Sequence, residues 1–172
     1  MKIKASYQNY HPPGNPEKSI RILLKYVPDK YLRGIDVIIL RSSKDVNRAT
    51  RREDFKGPKT TLGTYHHRHG NSKPYIELYI DTIIEKYGPL RKIPMVRNIA
   101  IGETLYHEIG HHIHQTIKPE YRDKERTADD WSKYFNKKLF KRRYFYMYPV
   151  LYAIHFLHKG YKKINSLLNF FY

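Results

Sequence analysis

Residues 104–112 contain the pattern H-E-x-x-H, which constrains the fold more than any other feature of this chain. In a helix, residues four apart lie on the same face, so His107 and His111 can offer two imidazole nitrogens to one metal ion. Glu108 lies about 100° further round the helix, beside such an ion. A carboxylate there can act as the general base of metal-assisted hydrolysis. The pattern therefore predicts a helix that carries a zinc site.

The residues around the motif predict a helix with two different faces. An apolar spine at helical spacing is expected on the side opposite the two histidines. It consists of Leu105, Ile109, Ile113 and Ile117. Gly110 costs about 1 kcal/mol relative to alanine inside a helix, which indicates the close approach of another backbone. This two-faced pattern argues against a chance match in a histidine-rich chain.

Two histidines leave a catalytic zinc site incomplete, because such sites usually have three protein ligands and an open position for water. A second amphipathic helix is predicted downstream. Its apolar positions are Ala128, Trp131, Phe135 and Leu139. On the margin of this stripe, Glu125 is the candidate third ligand, and Asp129 can accept a hydrogen bond from the far nitrogen of a ligand histidine. The alternative for these two acids is an ordinary solvated helix face.

The motif His107-Glu108-x-x-His111, followed by Glu125-x-x-x-Asp129 on a second helix, resembles the gluzincin branch of the zincin metallopeptidases. The resemblance implies an α+β domain in which a small sheet with an edge strand packs on the active-site helix, followed by a helical C-terminal part. It implies one catalytic Zn²⁺ held by the two histidines and Glu125. It also implies hydrolysis of a protein or peptide substrate by a zinc-bound water that Glu108 activates. The ImmA/IrrE-like and SprT-like intracellular proteases are similar in size.

The remaining histidines have other expected roles. His112 falls beside the apolar spine and is predicted to be packed and hydrogen-bonded. His114 shares the face of His107 but lies about 10.5 Å along the helix axis from it, so it is only an outside candidate for a ligand. Three histidines in one turn could form a second metal site, although solvated side chains are the favoured interpretation. They are His66, His67 and His69.

Length and composition set wider limits. A chain of 172 residues is expected to form one domain, 1–172, with a substantial core. Its 33 Lys+Arg against 16 Asp+Glu give a net charge of +17, which favours nucleic acid, an anionic surface or an acidic protein as partner. The absence of cysteine excludes disulfides and thiolate metal sites. With neither a signal peptide nor a long apolar run, no transmembrane segment is predicted and a cytoplasmic location is expected.

The order of elements upstream of the motif also follows from the residue pattern. The predicted elements are a helix at 17–26, strands at 35–40, 61–66 and 75–80, a short helix at 82–87 capped by Asp81, and the metal helix at 95–116. The last two strands predict a hairpin directly upstream of the metal helix. By resemblance to the zincins, this hairpin holds the edge strand that binds extended substrate.

Two basic segments and an aromatic segment complete the chain. Residues 41–58 and the block 137–143 are candidate contacts for polyanions. Residues 144–157 predict a helix that covers the core, with a membrane-surface helix as the alternative. This part of the chain offers candidate donors for stabilising an oxyanion: Tyr146, Tyr148, Tyr152 and His155.

An alternative function is a nucleic-acid-binding or regulatory protein with a structural zinc site, closed by a fourth ligand such as His114 or Asp130.

Overall fold

The chain forms two compact units, Met1–Lys138 and Leu139–Tyr172. The computed structural model describes residues 1–8, 10–45, 62–70, 72–117 and 123–149. No helix among these residues is long and apolar enough to cross a membrane. A single domain over 1–172 remains a prediction.

A four-stranded mixed sheet lies at the centre of the first unit. Its strands are β1 (Lys2–Ser6), β2 (Val37–Arg41), β3 (Gly63–His66) and β4 (Tyr75–Tyr79). They lie in the order β1-β2-β4-β3, with β1, β2 and β4 parallel and β3 antiparallel to β4. In the two central strands, alternate side chains are fully buried and pair in register, as in Ile38 with Ile76 and Leu40 with Leu78. The α+β class is confirmed, and β3 lies at an edge of the sheet.

Four helices complete the described fold. They are α1 (Pro16–Leu24), α2 (Ile80–Glu85), α3 (Pro94–Thr116) and α4 (Lys124–Arg143). Helix α1 begins where the side chain of Asn15 accepts a hydrogen bond from the Lys18 N–H at 2.8 Å, and Pro16 occupies its first position. Its buried Leu23 presents a carbonyl that accepts from the hydroxyl of Tyr106 on α3 at 2.9 Å. Helix α3 packs against α1 through this contact and also contacts strand β3.

Strand β1 is the element that sequence pattern does not predict. Its sequence, Lys-Ile-Lys-Ala-Ser, leaves only Ile3 half-buried and the other four side chains exposed. The strand exists because its backbone pairs in parallel with β2, starting from the Lys2 N–H, which donates to the Asp36 carbonyl at 2.9 Å. An edge strand that depends on backbone pairing carries little hydrophobic periodicity.

Helix α2 begins two residues earlier than predicted, which places Asp81 inside its first turn instead of at the cap. The carboxylate is 1% exposed and accepts from the hydroxyls of Ser42 at 2.9 Å and Ser43 at 2.6 Å, and from the Ser43 N–H. Burial acts to raise the pKa of Asp81, but these hydrogen bonds outweigh it and hold the pKa below its usual value. Asp81 thus ties α2 to the end of β2.

Some sequence predictions fall wholly or partly outside the described residues. These include most of the basic segment 41–58 and the aromatic segment beyond Pro149. In the described part of the second unit, Tyr144 is buried, whereas three large side chains are exposed. They are Phe145, Tyr146 and Tyr148. The predicted helix over 144–157 therefore remains a prediction.

Candidate metal centre

Helix α3 has the two faces that its sequence predicts. Leu105, Ile109 and Ile113 are fully buried, which confirms this part of the apolar spine. The prediction is wrong for Ile117, which is 45% exposed because it follows the last residue of the helix. The opposite face carries the histidines of the motif, which are half-buried.

His107, His111 and Glu125 form a group that can hold a metal ion. The two Nε2 atoms lie 3.1 Å apart, and Glu125 Oε2 lies 3.4 Å from His107 Nε2 and 3.7 Å from His111 Nε2. Zinc bonds of about 2.0–2.2 Å at tetrahedral angles place their donors about 3.3–3.6 Å apart. The triangle therefore has the size of one face of a zinc tetrahedron, and two nitrogens with one oxygen are donors that zinc accepts.

Asp129 determines which nitrogen of His107 is free. Its Oδ1 lies 3.0 Å from His107 Nδ1. A carboxylate can only accept, so Nδ1 carries the proton and Nε2 presents a lone pair to the group. A carboxylate on the far nitrogen orients a ligand histidine and raises its basicity. The tautomer that this contact selects is the one that a metal ligand requires.

Glu108 lies beside the donor group and is only 6% exposed. Burial raises the pKa of Glu108 to about 8, opposed by a hydrogen bond from the Tyr65 N–H and reinforced by the nearby charge of Glu125. A positive charge at the donor group would favour the ionised carboxylate. A buried carboxyl group with a pKa near neutrality suits a residue that exchanges protons with a substrate.

His112 is a buried histidine that contacts Tyr65, the residue of β3 whose N–H donates to Glu108. His112 is 1% exposed, and its Nε2 lies 2.9 Å from the Arg33 carbonyl while its Nδ1 lies 3.0 Å from the Tyr65 hydroxyl. Since a carbonyl only accepts, Nε2 carries the proton and Nδ1 accepts from Tyr65. Burial also lowers the pKa of His112, which favours its neutral form. The prediction of a packed, hydrogen-bonded His112 is confirmed, and this network joins β3 to α3 next to Glu108.

Helices α3 and α4 meet at Gly110. A Cβ atom added there would lie 2.6 Å from Ala128 Cα and 2.8 Å from the Ala128 carbonyl oxygen. The expected close approach of another backbone is therefore confirmed. One turn further along α4, the Ser132 hydroxyl donates to the Glu103 carbonyl at 2.9 Å. These contacts set the distance from which Glu125 reaches the two histidines.

Gly110→Ala should disrupt the donor group. Alanine gains about 1 kcal/mol of helix propensity, but backbone overlap of this kind costs about 1–3 kcal/mol and can be relieved only by moving α4 away from α3. We expect no gain in stability and a loss of zinc affinity of about 10-fold or more, similar to the loss of an orienting carboxylate. Denaturant unfolding and competition with a chromophoric chelator measure the two effects.

Gly102→Ala, on the same helix, is the matched control. A Cβ there would meet the ends of two side chains, Leu23 Cδ2 at 3.1 Å and Asn136 Oδ1 at 3.2 Å, which can shift. The zinc affinity of Gly102→Ala should therefore equal that of the wild type. Unchanged zinc binding in Gly110→Ala would show that the contact between the helices does not position Glu125.

The donor group lies in a cleft along the edge strand β3. One cavity, of about 620 Å³, is formed by β3, α3 and the start of α4. A second cavity, of about 550 Å³, continues on the other side of the motif. Both are lined by Gly63, His107 and Glu108, so the cleft extends in two directions from the group.

Two other predicted ligands are not part of the donor group. His114 is 5% exposed and lines the first cavity, and Asp130 lines a separate cavity beside Trp131. Neither belongs to the donor group, and the part of the chain that the structure describes contains no second group of this kind. His66 instead lies 3.4 Å from Glu77 and stacks on Tyr75.

The oxyanion donor also stays a prediction. Tyr146 and Tyr148 belong to the second unit and are exposed, and Tyr152 and His155 lie outside the described residues.

Gly63 is a site residue that the sequence pattern does not single out. A Cβ atom added there would lie 2.8 Å from Thr104 Cγ2 and 3.1 Å from Glu108 Oε1. A glycine at the start of a strand is the only signal of this contact in the sequence.

Comparison with protein families, with curated proteins and with solved structures finds no match for this chain.

Proposed function

We propose that this protein is a zinc-dependent metallopeptidase of gluzincin type. The proposal depends mainly on one observation: a donor triangle of the size that zinc requires lies beside a buried carboxylate in a cleft. The donors come from α3 and α4, and the carboxylate of Glu108 is held by β3. Metal-assisted peptide hydrolysis uses these parts together, namely a cation, a general base and space for a chain.

Each residue of the site has a separate role in the proposed reaction. When bound, Zn²⁺ supplies a Lewis acid that polarises the scissile carbonyl and lowers the pKa of water. His107, His111 and Glu125 would hold the ion and leave an open coordination position. Glu108 would take a proton from the attacking water and pass it to the leaving amine. Asp129 would keep His107 in the tautomer that binds metal.

An extended peptide is the substrate that the cleft fits. In the described sheet, β3 pairs with β4 on one side and has no strand on the other. An unpaired strand edge can hydrogen-bond a peptide in extended conformation. The cleft continues on both sides of Glu108, so a peptide could extend in either direction from the bond that is cut.

The alternative is a basic protein that binds nucleic acid or an anionic surface and uses zinc only for structure. One observation favours polyanion binding: four basic side chains at the end of α4 form no ion pair with any described residue. They are Lys137, Lys138, Lys141 and Arg142. A structural zinc site is usually closed by four protein ligands, however, and the described residues supply three.

Metal removal tests the proposed function and separates it from the alternative. The full chain should bind about one zinc ion and cleave a quenched fluorescent peptide library, as expected for a catalytic site. Chelation should abolish cleavage, readdition of zinc should restore it, and circular dichroism should show little change in the fold. Unfolding on chelation, with no cleavage before it, would support a structural zinc site instead.

A further inference from the structure

The two directions of the cleft differ in charge. Among the residues that line the first cavity, three exposed side chains can donate hydrogen bonds and are not proposed metal ligands: His67, Gln115 and Lys124. His67 follows the last residue of β3, and Lys124 is the first residue of α4, so they lie on different walls. The acids on this side are Glu125, a proposed ligand, and the buried Glu108.

The cations of the second cavity are paired. Lys86 Nζ lies 3.5 Å from Glu103 Oε2, and Lys133 Nζ lies 3.9 Å from Asp130 Oδ1. Lys124, by contrast, forms no ion pair with any residue that the structure describes. The neighbouring Asp123 is engaged elsewhere, because its carboxylate accepts from the Arg126 N–H at 2.9 Å and it lines a different cavity.

We infer that the end of the cleft formed by His67, Gln115 and Lys124 is a binding subsite for a carboxylate group of the substrate. This inference rests on the proposed peptidase function and names the substrate feature that the same site prefers. The carboxylate is either an acidic side chain near the scissile bond or the C-terminus of the substrate. Both have the same chemistry, and their positions in a peptide distinguish them.

Lys124 carries most of the expected preference. A charge-assisted hydrogen bond is stronger than a neutral one, and Gln115 and His67 can add further donors. Because Lys124 is exposed, water and salt screen part of its attraction. We therefore expect a preference of about 10-fold for a carboxylate over a carboxamide, the lower end of what one charged hydrogen bond contributes.

Binding of three peptide hydroxamates to the zinc-loaded full chain tests the inference without turnover. One carries a glutamate side chain and an amidated end, the second a glutamine and a free C-terminal carboxylate, and the third a glutamine and an amidated end. Calorimetry should show one of the two acids binding about 10-fold more tightly than the neutral compound. The acid that gains affinity identifies the source of the carboxylate.

Two variants complete the experiment. Lys124→Gln should remove the preference and leave the affinity for the neutral hydroxamate unchanged. Lys137→Gln, which makes the same charge change on an exposed part of α4 away from both cavities, should keep it. Equal binding of all three compounds to the wild type would overturn the subsite while leaving the peptidase proposal intact. If none of the hydroxamates bound to the zinc-loaded chain, the open catalytic zinc site of the proposed peptidase would be rejected together with the subsite.

Discussion

Glu108→Gln should abolish peptide hydrolysis while the protein keeps its zinc and its fold. The general base of a hydrolytic reaction typically contributes 10²- to 10⁴-fold to the rate, so kcat should fall by about that factor or more. Glutamine has nearly the same shape as glutamate but cannot accept the proton of the attacking water. Loss of activity with the metal retained is the expected signature of a base that is not a ligand.

The structure explains why the fold should survive this change. Glu108 is buried, and the Tyr65 N–H donates to its side chain, which a glutamine carbonyl oxygen can still accept. Burial raises the pKa of Glu108, which costs folding free energy at neutral pH, and glutamine has no such cost. We therefore expect the free energy of unfolding to stay equal to that of the wild type or to rise.

The measurements are zinc content by metal analysis, unfolding in denaturant and cleavage of a fluorogenic peptide. Glu85→Gln is the matched control, because Glu85 lies on α2, outside both cavities of the cleft, and its ion pair with Lys44 is long at 3.9 Å. It should behave as the wild type does in all three assays. Loss of zinc from Glu108→Gln would show instead that Glu108 is a ligand.

Helix α3 is the part of the molecule that the sequence predicts best. Its observed span, Pro94–Thr116, differs by one residue from the predicted 95–116. Three signals coincide there: apolar residues at helical spacing, a proline in the first turn, and a metal motif that requires one face. Gly110 adds a prediction about tertiary structure, because a costly glycine in a helix indicates a close neighbour.

Contacts between distant segments could not be predicted in the same way. The parallel pairing of β1 with β2 joins residues far apart in the chain, and β1 has almost no hydrophobic pattern of its own. The network from Arg33 through His112 to Tyr65 likewise depends on three separate segments. A sequence pattern reports which side of one element is buried, but it contains no information on which distant group meets it there.

The pairing of charges in the cleft is another feature that a sequence pattern does not show. Net charge and charged segments can be read directly from the sequence, but the sequence does not show which lysines of the cleft are paired with acids. Lys86 and Lys133 each meet an acid, whereas Lys124 meets none among the described residues. Composition cannot distinguish these lysines, since the difference arises from where the fold places each side chain.

Glu125→Ala should lower zinc affinity more than any other substitution of an acid on α4. The carboxylate completes the donor triangle at 3.4 and 3.7 Å from the two imidazole nitrogens. Without it the group retains two ligands, fewer than catalytic zinc sites use. We expect a loss of more than about 100-fold, above the range of about 10- to 100-fold that applies to a carboxylate orienting a ligand histidine.

Asp129→Ala should lower zinc affinity by only about 10- to 100-fold, because it removes only the hydrogen bond to His107 Nδ1 at 3.0 Å. Both acids are exposed, with 76% of the Glu125 side chain and 57% of the Asp129 side chain accessible. Neither substitution therefore leaves a cavity in the core, and the metal-free proteins should unfold at nearly the same denaturant concentration as the wild type.

Two further variants, Asp123→Ala and Glu120→Ala, test whether the third ligand is Glu125 or an acid in the segment before α4. Asp123 accepts from the Arg126 N–H at the start of the helix, so its loss should cost about 1 kcal/mol of stability and leave zinc affinity unchanged. Glu120 lies outside the described residues. Competition with a chromophoric chelator gives the four affinities on one scale. Normal zinc binding by Glu125→Ala, with a loss in either of these two variants, would place the third ligand before α4 and remove the basis for the gluzincin assignment.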